Sequence, residues 1–130
     1  MPTLRRASPY LLAGLLASAG VTHFVVPDFY ERMIPAALPG PRALVYGSGV
    51  AELACAGLVA HPRTRRFGAW TSAALFVAVF PANVQMALDA RDDPAARIAG
   101  STALSWARLP LQVPLVVWAV SVARRARRVV

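Results

Sequence analysis

The sequence predicts an all-α protein, a four-helix transmembrane bundle with a short amphipathic interfacial helix between spans one and two. Three features lead there. The 130-residue chain is 57% hydrophobic and only 15% charged, where soluble domains carry roughly a quarter charged residues. Its apolar residues gather into four runs, each near the ~20 residues that cross ~30 Å of hydrocarbon as a helix. Every basic residue is an arginine, fourteen in all, and the arginines stand at the ends of those runs rather than along one polar face.

The first span reads as Pro9 to Val26 and the second as Arg42 to Ala60. The third reads as Phe67 to Leu88 and the fourth, the shortest, as Trp106 to Ala123. Together they form a single domain over residues 1–130. Helix is the expected conformation, because an open sheet would leave backbone groups unpaired in lipid. The opening "MPTLRRASPYLLAGLLASAG" has the look of a signal peptide. Its apolar run continues through "VTHFVV", which favours an uncleaved first span.

Orientation follows from the arginines. Arg5, Arg6, Arg63, Arg65, Arg66, Arg124, Arg125, Arg127 and Arg128 fall on one side. Arg32, Arg42, Arg91, Arg97 and Arg108 fall on the other, with Asp28, Glu31, Asp89, Asp92 and Asp93. Both termini are therefore expected to be cytoplasmic, in the plasma membrane if the source is bacterial. The same scatter speaks against nucleic acid as a partner.

Two connections lie on the outer side. In "PDFYERMIPAALPGPR", Asp28 and Glu31 follow Pro27 at the spacing of a capping pair. Phe29, Tyr30, Met33 and Ile34 share a helical face, the pattern of a helix lying on the interface. Pro35, Pro39 and Pro41 would end it. The second connection, "DARDDPAARIAGSTALS", is polar, with room for a helical turn after Pro94.

Glu52 sits in the middle of the second span, roughly 15 Å below the outer surface. An ionised carboxylate at the centre of a membrane helix costs on the order of 3 kcal/mol. It must be protonated, paired, or turned toward a hydrated cavity. Small residues flank it at helical spacing, Gly49 with Gly57 and Ser48 with Ala56, so Glu52 should face the bundle interior. His23, Asn83, Arg108 and Gln112 fall at similar depth in the other spans. The expectation is one polar chamber in the outer half of the membrane, with Glu52, His23, Asn83, Gln112 and Arg108 as ligand- or proton-binding candidates.

Each has a plainer reading. Glu52 can be a protonated interhelical hydrogen-bonder, His23 a packing residue, and Asn83 an interhelical bond. Arg108 can snorkel to the interface or pair with Glu52. Gln85 points to a different face from Asn83, Cys55 reads as packing, and His61 as a solvated loop residue. Pro81, Pro110 and Pro114 each remove a backbone donor, and kinks there would either widen the outer half or simply bend a packed helix.

Several chemistries are missing. One cysteine allows neither an intrachain disulfide nor a cysteine zinc site. There is no P-loop and no HExxH. His23 and His61 lie on opposite sides, which removes a bis-histidine haem, and no metal site is expected.

The segments "THFVVPDFY", "IPAALP", "SGVAEL", "HPRTRRFGAW", "FPANVQMA" and "RLPLQVPLVVWA", in this order and spacing, resemble the DoxX family of small four-helix integral membrane proteins. They touch every span. The resemblance implies a four-helix bundle with cytoplasmic termini and a place among subunits of quinone-linked oxidoreductases or membrane redox complexes. A distant animal relative of similar architecture is a receptor-assembly chaperone. No catalytic motif transfers.

Three functions are then in play. The first is a redox-associated subunit, possible as an accessory to a quinone-linked oxidoreductase, that binds a quinone or similar amphipathic molecule beside Glu52. The second is a non-catalytic assembly protein docking a membrane partner or a second copy of itself through small-residue faces. The third, a small-solute or proton transporter, ranks last, because no inverted repeat is evident.

Overall fold

The computed structural model describes residues 2–34, 37–94 and 101–126; those residues are 84% helical, and no strand occurs among them. Among them six α-helices follow in order: α1 (Pro2–Val25), α2 (Pro27–Glu31), α3 (Pro41–Ala60), α4 (Arg65–Ala78), α5 (Phe80–Asp89) and α6 (Thr102–Arg125). α4 and α5 form one broken span over Arg65–Asp89. That span, α1, α3 and α6 are each long and apolar enough to cross a membrane. At most 33% of the most apolar stretch of any span is buried, and only 22% in α6. The remaining apolar surface needs lipid around it, as a multi-pass membrane protein would have.

The helices pack in chain order. α1 lies on α3, α3 on α4, and α4 with α5 on α6, while α1 and α6 meet sparingly. One tie across that seam is the Trp118 indole donating to Ser8 Oγ at 2.9 Å. The start of α1 and the end of α6 lie at one end of the bundle, the terminal end. The long connections after α1 and α5 lie at the other, the connection end.

Span limits differ from the sequence reading mainly outward. α1 starts seven residues before Pro9 and α6 four before Trp106. α6 can start there because Ser101 caps it, its Oγ accepting from the Leu104 amide at 3.2 Å. The expected turn after Pro94, with Arg97, lies outside the described residues, as do Pro35, Arg127 and Arg128.

Small residues set the tightest helix approaches. A Cβ on Gly20 would stand 3.0 Å from the Gly49 carbonyl oxygen, and one on Gly49 would stand 2.9 Å from His23 Cβ. α1 and α3 thus meet backbone to backbone, as small residues allow in membranes. Gly57, expected to act similarly, has nothing within 4 Å of such a Cβ. Gly68 takes that part between α3 and α4, against the backbone at Leu58 and Val59.

Polarity divides along the bundle axis. The terminal half has an apolar core that includes Leu12, Leu16, Ala56, Val59, Ala69, Ala73, Ala119 and Val122. Cys55 is buried there as a packing residue, with Thr71 Oγ1 at 3.6 Å. The connection half buries His23, Glu52, Asn83 and Gln112.

The first connection folds back over that polar half. Asp28 and Glu31 do not cap α2, whose N-cap is Val26 with no side-chain bond. Both carboxylates instead receive the Arg42 guanidinium from the start of α3. A two-pronged charged pairing outcompetes a local amide. Gly40, at φ +64°, supplies the left-handed turn between Pro39 and Pro41 that lets α3 begin there.

Candidate functional site

Glu52 lies halfway along α3 and is turned inward, 8% exposed. Its neighbour is set by the glycine crossing. In the antiparallel α1–α3 pair, His23 stands level with Gly49 and Glu52 level with Gly20. Helical side chains lean toward their own N-terminus, so the two lean toward each other. His23 Nδ1 comes within 3.0 Å of Glu52 Oε2.

The hydrogen on that nitrogen has two claimants. Nδ1 is also 2.7 Å from the Ala19 carbonyl oxygen, which can only accept, so Nδ1 carries a hydrogen and directs it there. Glu52 Oε2, though beside the same nitrogen, is left buried without a hydrogen-bond partner. The two groups are close enough to form an ion pair, yet the carboxylate oxygen lacks a donor of its own. Buried polar atoms in that state are rare.

Both residues line a cavity of about 320 Å³ at the connection end. Tyr30 covers it, stacked on His23 with ring centroids 3.8 Å apart. The Tyr30 hydroxyl is 2.7 Å from Thr22 Oγ1. Met33, Ile34, Leu38, Leu44 and Val45 form an apolar wall, and Ala78, Val79, Pro81 and Ala82 form another. Ser48, one turn from Glu52, adds a hydroxyl, and Asn83 and Arg108 complete the lining.

Arg108 is half-buried and makes no ion pair among the described residues. Its described side-chain contact is Nη1 at 3.7 Å from Met86 Sδ, a weak acceptor. The expected Arg108–Glu52 pair is absent; each charge faces the cavity separately.

Gln112 was expected in the same chamber and does not line it. It opens on a separate apolar notch with Val77, Phe80 and Val113. Its amide is occupied on both sides. Oε1 accepts from Asn83 Nδ2 at 2.8 Å, and Nε2 donates to the Phe76 carbonyl. The reason lies in the third span. The backbone ladder stops with Val79 N to Leu75 O and resumes with Asn83 N to Val79 O, beside Pro81, which has no N–H. Gln112 from α6 and Asn83 from α5 meet beside that break, where Gln112 supplies a donor to the Phe76 carbonyl. Pro110 and Pro114 stay inside the continuous α6 on its exposed face, so neither shapes the cavity.

The structure therefore brings together four of the five candidates, Glu52, His23, Asn83 and Arg108, and assigns Gln112 to holding the broken span. Gln85 donates to Asp89 Oδ1 at 2.8 Å, away from the cavity, and His61 is exposed. Tyr30 and Ser48 are the site residues the sequence reading passed over. Ser48 was visible as the i−4 neighbour of Glu52. Tyr30 sits seven residues past His23, and its place over the cavity depends on the fold-back of α2, which its stacking on His23, its hydroxyl contact with Thr22 and the Arg42 clasp on its neighbours all accompany.

The arrangement joins an apolar slot to three kinds of polar group: a carboxylate–imidazole pair that can hold or pass a proton, a cation without an acid, and neutral hydrogen-bonders. Among the described residues no group of three or more histidine, cysteine or carboxylate side chains can hold a metal ion.

Compared with known families, residues 12–123 match the model described as "Domain of unknown function (DUF8561)". No curated protein and no solved structure matches the chain.

Proposed function

The chain belongs to the DUF8561 family, and from its cavity we propose that it binds the ring of a quinone or a similar amphipathic molecule, as a redox-associated membrane subunit. The observation that carries this reading is the buried Glu52 Oε2, beside His23 but without a directed hydrogen bond, in a cavity that Arg108, paired with no acid among the described residues, also lines. A para-quinone ring presents two carbonyl oxygens on opposite edges of an apolar disc. Arg108 would donate to one of them. The His23–Glu52 pair would meet the other with a proton when Glu52 is protonated. The volume of about 320 Å³ is at the small end for ligand sites, so it suits a single ring, with any tail passing into lipid.

When bound, a quinone supplies two-electron, two-proton interconversion of carbonyls and hydroxyls. The chain's own residues would hold one of those protons at Glu52 Oε2 and exclude bulk water beneath Tyr30 and Met33. The DoxX resemblance supports the same reading. The arginines agree with cytoplasmic termini: Arg5, Arg6, Arg63, Arg65, Arg66, Arg124 and Arg125 at the terminal end outnumber Arg32, Arg42, Arg91 and Arg108 at the other.

The test is titration of the purified chain with a short-tailed ubiquinone or menaquinone analogue. Saturable binding that weakens in Glu52→Gln and Arg108→Gln is expected. Unchanged affinity in both variants removes the cavity as the site. A second reading, docking of another membrane protein, draws on α6, the least buried span, whose Val113 and Val117 are at least 60% exposed. A stoichiometric partner in native-membrane crosslinking, with no quinone bound, would favour it.

A further inference from the structure

We propose that an arginine-lined cleft at the terminal end, between the ends of α1 and α6, binds the phosphodiester headgroup of an anionic phospholipid. The cleft holds about 430 Å³ and is lined by Arg5, Arg6, Arg65 and Arg125, with Tyr10 and Ser8. It lies at the opposite end of the bundle from the Glu52 cavity and does not depend on how that cavity is read.

Four guanidiniums around one hollow repel each other, and no acidic side chain stands at that end to neutralise them. Its six acidic residues are Asp28, Glu31, Glu52, Asp89, Asp92 and Asp93. All belong to the connection end or the Glu52 cavity. Arg5 and Arg6 also stand near the start of α1, whose first turn holds no acid. Cations at a helix N-terminus oppose its dipole. A phosphate between them relieves both conflicts.

Arg65 is preset for that task. Its Nε donates to the Val59 carbonyl at 2.9 Å and its Nη2 to the Ala60 carbonyl at 3.0 Å. Its guanidinium lies 5.0 Å from the centre of the Tyr10 ring. Held by the last turn of α3, it loses little freedom on binding and keeps further N–H groups for an anion. Arg5, Arg6 and Arg125 are exposed and can close from both sides.

A lipid, rather than a soluble phosphate, follows from what adjoins the cleft. Ser8 belongs to a helical stripe with Leu4, Leu11 and Leu15, which are 64%, 57% and 40% exposed. The stripe leads from the arginines along the apolar length of α1, the path an acyl chain would take. Basic pockets between membrane helices recognise such headgroups.

The experiment uses the full chain in nanodiscs of phosphatidylcholine doped with phosphatidylglycerol or diphosphatidylglycerol, released for native mass spectrometry. The wild type should retain the anionic lipid selectively. Each cleft arginine is expected to contribute about a fivefold preference. Arg125→Gln should therefore lower enrichment about fivefold, and Arg5→Gln with Arg6→Gln about 25-fold. Arg63→Gln, on the exposed loop at the same end but outside the cleft, should change nothing. If Arg5→Gln with Arg6→Gln fails to assemble, Arg125→Gln at the exposed helix end decides alone. Loss no greater than in Arg63→Gln overturns the proposal, because the attraction would then be general surface charge. Inorganic phosphate added in detergent should not displace the lipid. Full displacement would reassign the cleft to a soluble phosphate and overturn the lipid assignment.

Discussion

Replacing Gln112 with leucine tests how the third span survives its own break. Leucine keeps the volume and removes the amide. Two groups then lose their partners, the Phe76 carbonyl and Asn83 Nδ2, in a region where 6% of Gln112 and 4% of Asn83 is exposed. A buried polar group left unpaired costs about 1–3 kcal/mol. Interhelical hydrogen bonds measured in membranes average about 0.6 and reach about 1.7 kcal/mol, because the unfolded chain in the membrane finds other partners. Two bonds at those values put Gln112→Leu at about 1–3 kcal/mol. Asn83→Leu breaks only one of them and should cost about half as much. The double variant should recover a coupling of about 0.6–1.7 kcal/mol, since only the Phe76 carbonyl then remains bare. The assay is reversible unfolding in mixed micelles by titrated SDS. A Gln112→Leu protein within about 0.5 kcal/mol of wild type, with no coupling to Asn83→Leu, would refute the clasp.

Other consequences follow from the same contacts. Gly49→Val should push α1 from α3, since its Cβ would sit 2.9 Å from His23 Cβ and 3.1 Å from the Gly20 carbonyl. A loss of about 1–3 kcal/mol should appear in SDS unfolding together with weaker quinone binding, and wild-type behaviour in both would contradict the close crossing. Glu52→Gln should leave stability little changed, since the 3.0 Å approach to His23 gives Oε2 no well-directed hydrogen bond to lose and a neutral amide is cheaper in lipid. A loss above about 1 kcal/mol would mean that Glu52 is structural. Arg42→Gln breaks exposed pairs to Asp28 and Glu31. It should leave the unfolding midpoint unmoved, as surface pairs contribute little, while amide exchange quickens across α2 and residues 32–34. Equal exchange in both proteins would show that the clasp does not hold the cover.

Much of the fold was legible because hydropathy and arginine spacing are local quantities. Span-length apolar runs with charged ends have few alternatives in lipid. Glu52 was legible as an inward residue for a related reason: a carboxylate flanked by glycine and serine cannot face acyl chains cheaply. What stayed hidden depended on pairing between distant segments. Asp28 and Glu31 read as a cap from their spacing, yet Arg42, folded back beside them, binds both. Arg108 and Gln112 are four apart and share a helical face, which suggested a common chamber. One turn of α6 is enough to separate the cavity mouth from the break at Val79, and no periodicity in α6 records where a neighbouring helix is broken.

The break and the cavity have a common origin in Pro81. Beside Pro81, which has no N–H, the ladder of the third span is interrupted, and the chain turns at Val79 before α5 begins. Ala78, Val79, Pro81, Ala82 and Asn83, all at that turn, form one wall of the cavity. The other wall comes from the opposite necessity, the glycine crossing that presses α1 onto α3 and forces His23 against Glu52. One side is thus opened by a missing donor and the other closed by missing side chains. Gln112 then decides what the cavity contains. By donating to the Phe76 carbonyl and accepting from Asn83 Nδ2, it satisfies one backbone group at the break and fixes the Asn83 amide. That leaves the Arg108 guanidinium, paired with no acid among the described residues, and the Glu52 carboxylate, paired only with His23, to meet the oxygens of the occupant we propose.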